Sequence, residues 1–132
     1  MDTVSRDELK VKGIRRLIKS FKYAASGLVY AFRYEQNIIV HSLATIAVIL
    51  MGIFFRISYI EWLIIFLIVG LVIATELINT SIEATIDLIT LEKHPLAKVA
   101  KDTAAAAVMV FALVAIAIGL IIFVPKIVLL FG

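Results

Sequence analysis

The sequence contains no cysteine, so disulfides and thiolate metal sites are excluded. It has only two prolines, Pro95 and Pro125, each read as a helix boundary. No GxxxxGK[ST] phosphate loop and no protein-kinase signature occurs, so any use of ATP relies on another scaffold. A cleavable leader is not expected, because the first apolar span follows a long polar segment and no cleavage site comes after it. Charge is sparse, at 17% of residues, and 63% are hydrophobic. Ordinary globular chains carry about 45–50% apolar residues. With a mean hydropathy of +1.09, this is the composition of a membrane protein. At 132 residues it forms one domain, and no nucleic-acid partner is expected.

The expected fold is an all-α membrane protein: an N-terminal amphipathic helix in the membrane interface, then three transmembrane helices. Residues 1–9 are polar and read as disordered. Over residues 10–34, Leu17, Phe21, Ala24, Leu28 and Phe32 share one face, and Lys12, Arg15, Arg16, Lys19, Lys22 and Arg33 lie opposite. That pattern suits a helix in a membrane surface with its bases toward anionic head groups. Glu35 continues the apolar face five turns after Leu17, an unusual place for a carboxylate.

The first span is placed at residues 38–55, about 27 Å long. His41 and Ser42 sit near its inner end, and His41 is read as an interfacial hydrogen-bonding residue. Residues 56–61 form a turn, with Tyr59 and Trp62 as interface anchors. The second helix covers residues 58–90. At about 49 Å it exceeds a hydrocarbon core of about 30 Å and must project from the membrane. The third covers residues 96–124 and ends at Pro125-Lys126. The run Ala104 to Ala107 lets helix backbones approach closely.

The chain is organised around residues 76–102, ELINTSIEATIDLITLEKHPLAKVAKD. Glu76, Asn79, Glu83 and Asp87 lie within about 80° of arc on the second helix, one stripe beginning at the membrane edge and continuing into water. Carboxylates beside a membrane are costly unless paired, hydrated or metal-bound. The loop 93–101 is basic and carries His94. Acids able to hold Mg²⁺ thus face bases able to hold phosphate. The basic N-terminal helix and this loop fall on one side of the membrane, Arg56 and Lys126 on the other. Lys/Arg excess marks the cytoplasmic side, so the N-terminus and the polar site are expected there and the C-terminus outside. Three spans do not easily enclose a site, so an oligomer is expected.

The pattern ExxNTxIExxxDLxxxxxHxxAKxAKDxAAAAV, residues 76–108, resembles the small bacterial integral-membrane lipid kinases, the prokaryotic diacylglycerol kinase and undecaprenol kinase family. Weaker agreement runs from Leu17 through Glu35 and on to the C-terminus. The resemblance implies a homotrimer in the bacterial cell membrane, with sites between chains, that phosphorylates a lipid hydroxyl with ATP and Mg²⁺. It implies that Glu76 is the catalytic base, with Asn79 orienting it or the hydroxyl. It implies that Glu35 and Glu83 ligate Mg²⁺, and that Arg16, Tyr23, Asp87, His94, Lys101 and Asp102, with the two ligands, form the ATP site. A serine found after the tyrosine in some members is Ala24 here, so its contact does not carry over.

The undecaprenol branch reads NTxIExxxDLxT, HPLAKxAKDxAAxAV and GLIIFxPK, and this chain has NTSIEATIDLIT, HPLAKVAKDTAAAAV and GLIIFVPK. The diacylglycerol branch commonly has arginine at the position of Leu88 and Ser-Gly-Arg at Ala97-Lys98-Val99. The resemblance therefore favours undecaprenol, with diacylglycerol as the alternative lipid. Readings from other classes are a small proton-coupled transporter using Glu76, or a scaffold in which Glu76 pairs with Lys98 or Lys101. A transporter needs a polar path to both sides, and residues 63–74 and 104–124 carry no charged or strongly polar side chain.

Overall fold

The computed structural model describes residues 13–132. The expected disordered segment 1–9, and the start of the amphipathic helix through Lys12, lie outside the described residues. Among those described there is no strand. The chain is four helices: α1 (Ile14–Tyr34), α2 (Gln36–Phe54), α3 (Tyr59–Ile89) and α4 (Pro95–Phe131). The last three are long and apolar enough to cross a membrane.

A single residue separates α1 from α2. Glu35 leaves the helical region at φ −105°, ψ 112°, while its N–H still donates to the Ala31 carbonyl at 2.8 Å. The chain therefore turns at the carboxylate that interrupted the amphipathic pattern. α1 packs against α2 and α3 through few residues, Ala31 being the one it buries.

At the opposite end, Phe55 to Ser58 connect α2 to α3. Arg56 takes a positive φ of 50°, sparsely populated by non-glycine residues. Ser58 caps α3 in a reciprocal box: Glu61 N–H donates to Ser58 Oγ at 3.3 Å, and Ser58 N–H donates to Glu61 Oε2 at 2.7 Å. The expected turn over 56–61 is thus shorter, and Glu61 belongs to the first turn of the helix. Lys126 Nζ then reaches Glu61 Oε1 at 2.6 Å, tying α4 to this cap.

The expected end of the third span at Pro125 is corrected. α4 runs through Pro125 to Phe131. Proline removes one backbone bond and crowds the preceding turn, but membrane helices tolerate it when surroundings compensate. Here Lys126 is anchored on Glu61 and Phe123 is buried two residues before the proline. The apolar tail is therefore helix.

α3 and α4 form the main packed pair. Ile57, Ile65, Ile122 and Phe123 make a small core, flanked by Met51, Phe55 and Trp62. Gly52 permits the closest approach: a Cβ there would lie 2.7 Å from the Trp62 ring. Trp62 is thus a packing residue, stacked on Phe66 at 5.4 Å, rather than only an interface anchor. Away from this core, large apolar side chains along α2, α3 and α4 are exposed on the single chain. Lipid or further chains must cover them in a membrane.

Candidate active site

The polar stripe of α3 grades from interior to surface. Glu76 is 0% exposed, and Asn79 and Thr80 are also buried. Glu83 is half-buried and Asp87 exposed. Their helical spacing puts them on one face, and packing of α4 and α2 closes that face only at its deep end.

Glu76 is the unusual member. Among the described residues neither of its carboxyl oxygens has a hydrogen-bond partner, and Asn79 Oδ1 is also buried and unpartnered. Buried polar atoms are nearly always satisfied, and an unsatisfied one costs about 1–3 kcal/mol. Three orphan acceptors together mark a place built for something that donates or is positively charged. The pairing of Glu76 with Lys98 or Lys101 does not occur: Lys98 bonds Asp102 within α4, and Lys101 Nζ bonds Asp87 Oδ1 at 2.6 Å.

Glu76 and Asn79 open into a cavity of about 230 Å³, shared with Asn37 and His41 of α2 and with Ala105, Val108, Met109 and Ala112 of α4. Small residues of the alanine run and the turn after it make this room. Sequence reasoning did not assign Asn37 and His41 to a site. Their four-residue spacing on one face of α2 was the available signal.

Outward along the stripe, Asn79 Nδ2 donates to Glu83 Oε1 at 3.3 Å. Glu35 stands nearby: burial raises its carboxyl above the ordinary range, and the negative charges of Glu83 and Glu76 raise it further. The α1–α2 junction therefore brings a fourth acid to the stripe. Among the described residues no three acidic or histidine side chains stand close enough to cage a metal ion. Mg²⁺ rarely uses such a cage; it takes one or two carboxylates and completes its shell with phosphate oxygens and water. Glu35 and Glu83, repelling each other beside unsatisfied acceptors, fit that requirement.

A second concavity, about 690 Å³, lies where α3 meets α4. Asp87, His94, Lys98, Lys101 and Asp102 line it. His94 is the N-cap of α4, its Nδ1 accepting from Leu96 N–H at 3.2 Å, with Pro95 at the first helical turn. Accepting there leaves Nε2 to carry the proton and to donate outward. The structure thus brings together Glu76 with Asn79, Glu83 with Glu35, and Asp87 with His94, Lys101 and Asp102. Arg16 and Tyr23 stand exposed on α1 and line neither concavity. Ala24 instead faces a largely apolar groove between α1 and α3, bounded by Gly27, Thr80 and Ser81.

The chain is similar to known proteins over most of its length. The family model for prokaryotic diacylglycerol kinase matches residues 22–123. An undecaprenol kinase of Bacillus subtilis is 50% identical over 113 residues, 86% of this chain and 92% of that protein. A diacylglycerol kinase of Synechocystis is 38% identical over 104 residues, 78% of this chain and 59% of that protein. One from Helicobacter pylori strain 26695 is 36% identical over 101 residues, 76% of this chain and 79% of that protein.

Proposed function

Since the chain belongs to the prokaryotic diacylglycerol kinase family, and so is a membrane lipid kinase, we propose that it transfers the terminal phosphate of ATP to undecaprenol. The observation that carries the chemistry is the buried carboxylate of Glu76, which has no partner among the described residues. A lipid hydroxyl entering its cavity supplies the missing donor, and Glu76 takes that proton as the oxygen attacks phosphorus. Asn79, held by Glu83 through Nδ2, stands beside the carboxylate with Oδ1 free to accept from the lipid hydroxyl and orient it.

Glu35 and Glu83 would hold Mg²⁺ between this cavity and the open groove. Such an ion neutralises triphosphate charge and fixes its geometry. Lys101 and the outward N–H of His94 hold the phosphates. Asp87 and Asp102, with Arg16 and Tyr23, complete the nucleotide site. In the resting chain the lysines neutralise Asp87 and Asp102, so bound nucleotide exchanges one set of ion pairs for another. Three features support a homotrimer: large exposed apolar faces, the separation of Arg16 and Tyr23 from the groove, and the open outer half of the stripe. In this reading the whole chain is one membrane domain of a bacterial cell membrane. α1 lies in the cytoplasmic interface, the active site is cytoplasmic and the C-terminus outside.

Undecaprenol is favoured by the near full-length similarity to an undecaprenol kinase and by Leu88 and Ala97-Lys98-Val99. Diacylglycerol is the second reading, since the other relatives carry that name. Phosphate transfer from MgATP in mixed micelles, undecaprenol against diacylglycerol, tests the choice. Higher kcat/KM for undecaprenol is the expected result. A preference for diacylglycerol reverses the substrate, and transfer to neither lipid removes the proposal.

A further inference from the structure

We propose that His41 is the route by which the proton taken by Glu76 leaves the site. The inference rests on the role of Glu76 given above. In each turnover the lipid O–H bond breaks and its oxygen bonds to phosphorus. The bond from the terminal phosphorus to ADP breaks, with its electron pair leaving on ADP. The proton stays on the Glu76 carboxyl. A second turnover requires Glu76 to lose it, yet Glu76 is 0% exposed and has no partner among the described residues.

The walls of its cavity limit the exits. From α4 the lining side chains are alanines, Val108 and Met109, which carry no exchangeable proton. From α3 it is Asn79, and from α2 Asn37 and His41. Amides do not ionise in this range, so among the cavity-lining residues His41 is the one group besides Glu76 able to accept and release a proton. No charged group other than Glu76 lines the cavity. His41 is half-buried, and Asn37, one turn nearer the start of α2, is exposed. The α2 wall thus runs from the buried acid to the exposed start of the helix. The His41 ring makes no hydrogen bond to the described residues, while its carbonyl accepts from Thr45 Oγ1 at 2.8 Å as part of the helix. The imidazole takes the Glu76 proton at one nitrogen and passes a proton to water from the other.

The test is a rapid-quench time course with undecaprenol and MgATP, comparing wild type with His41→Gln. In variant and wild type alike Glu76 equilibrates with buffer before mixing, so the first turnover does not depend on the relay and keeps its wild-type rate. Later turnovers slow by about a hundredfold, the lower end of the usual range for proton-transfer groups, and a burst of one phosphate per site appears. Added imidazole restores the steady state of His41→Ala in proportion to its concentration. His41→Asn serves for the time course where His41→Gln does not fold. Equal slowing of the first and later turnovers, an unchanged steady state, or no rescue by imidazole overturns the relay. Inactive wild-type protein overturns the lipid kinase reading instead, so the two failures are distinct.

Discussion

Lys101 Nζ stands 2.6 Å from Asp87 Oδ1, bridging α3 and α4 across the open end of the polar stripe. The pair is exposed, and exposed ion pairs contribute little to stability. Its value is positional: it holds a cation at the rim of the groove until an anion of higher charge arrives. Lys101→Met is therefore expected to raise the KM for MgATP by about tenfold or more, since charge-assisted phosphate contacts are the strong ones. The KM for lipid and the thermal stability should stay near wild type. Steady-state kinetics at varied MgATP, with a thermal melt in detergent, checks both.

The Glu35 carboxyl sits above the ordinary range because partial burial strips it of water, and then because Glu83 and Glu76 repel its charge. Cation binding needs the carboxylate form. As pH falls, apparent Mg²⁺ affinity should weaken through this raised value, before ordinary carboxylates protonate. The linkage sign without metal is the reverse of the usual acid case. The folded state binds this proton more tightly than the unfolded chain, so Glu35 favours folding at low pH. That contribution is lost as pH rises through the raised value. Titrations of activity with Mg²⁺ at several pH values, wild type against Glu35→Gln, measure it; the variant should lose both the activity and the acid-side slope.

Gly52 is required by the Trp62 ring, because a Cβ would meet it at 2.7 Å. Gly52→Ala should destabilise the protein by about 1–3 kcal/mol, the usual cost of overpacking. The clash lies at the end of α3 remote from Glu76, so kcat below the melting transition should change little. Denaturation in mixed micelles together with activity at low temperature separates the two effects.

Lys126→Met removes the partner of Glu61 and leaves a half-buried acid at the cap of α3. The expected loss is about 1 kcal/mol or less, given the partial exposure of both side chains. Glu61→Gln/Lys126→Met together should recover part of it, which a double-mutant cycle on melting temperature reads directly.

Much of this was legible in the residues. The polar stripe 76–87 followed from helical spacing, and the apolar spans from composition, because both depend on local periodicity. The interruption at Glu35 was visible as a carboxylate on an apolar face. That it becomes a one-residue joint between helices was not, since a backbone break depends on how α1 meets α2 and α3. Pro125 was misread for a related reason: its local penalty is real, but the Lys126–Glu61 pair and buried Phe123 hold the helix through it. His41 was read as interfacial because its neighbourhood to Glu76 exists only after α2 packs on α3, a contact no spacing along one helix reveals.

Glu76 is proposed as the base because its buried carboxylate has no partner among the described residues. Its most direct test is Glu76→Gln, which keeps shape and removes the proton acceptor. With undecaprenol and MgATP in mixed micelles, kcat should fall by about a hundredfold to ten-thousandfold, the span of general-base effects. The KM values for lipid and nucleotide should stay within a few-fold of wild type. A variant that retains wild-type kcat would contradict the account, because the orphan acceptors would then serve something other than phosphoryl transfer.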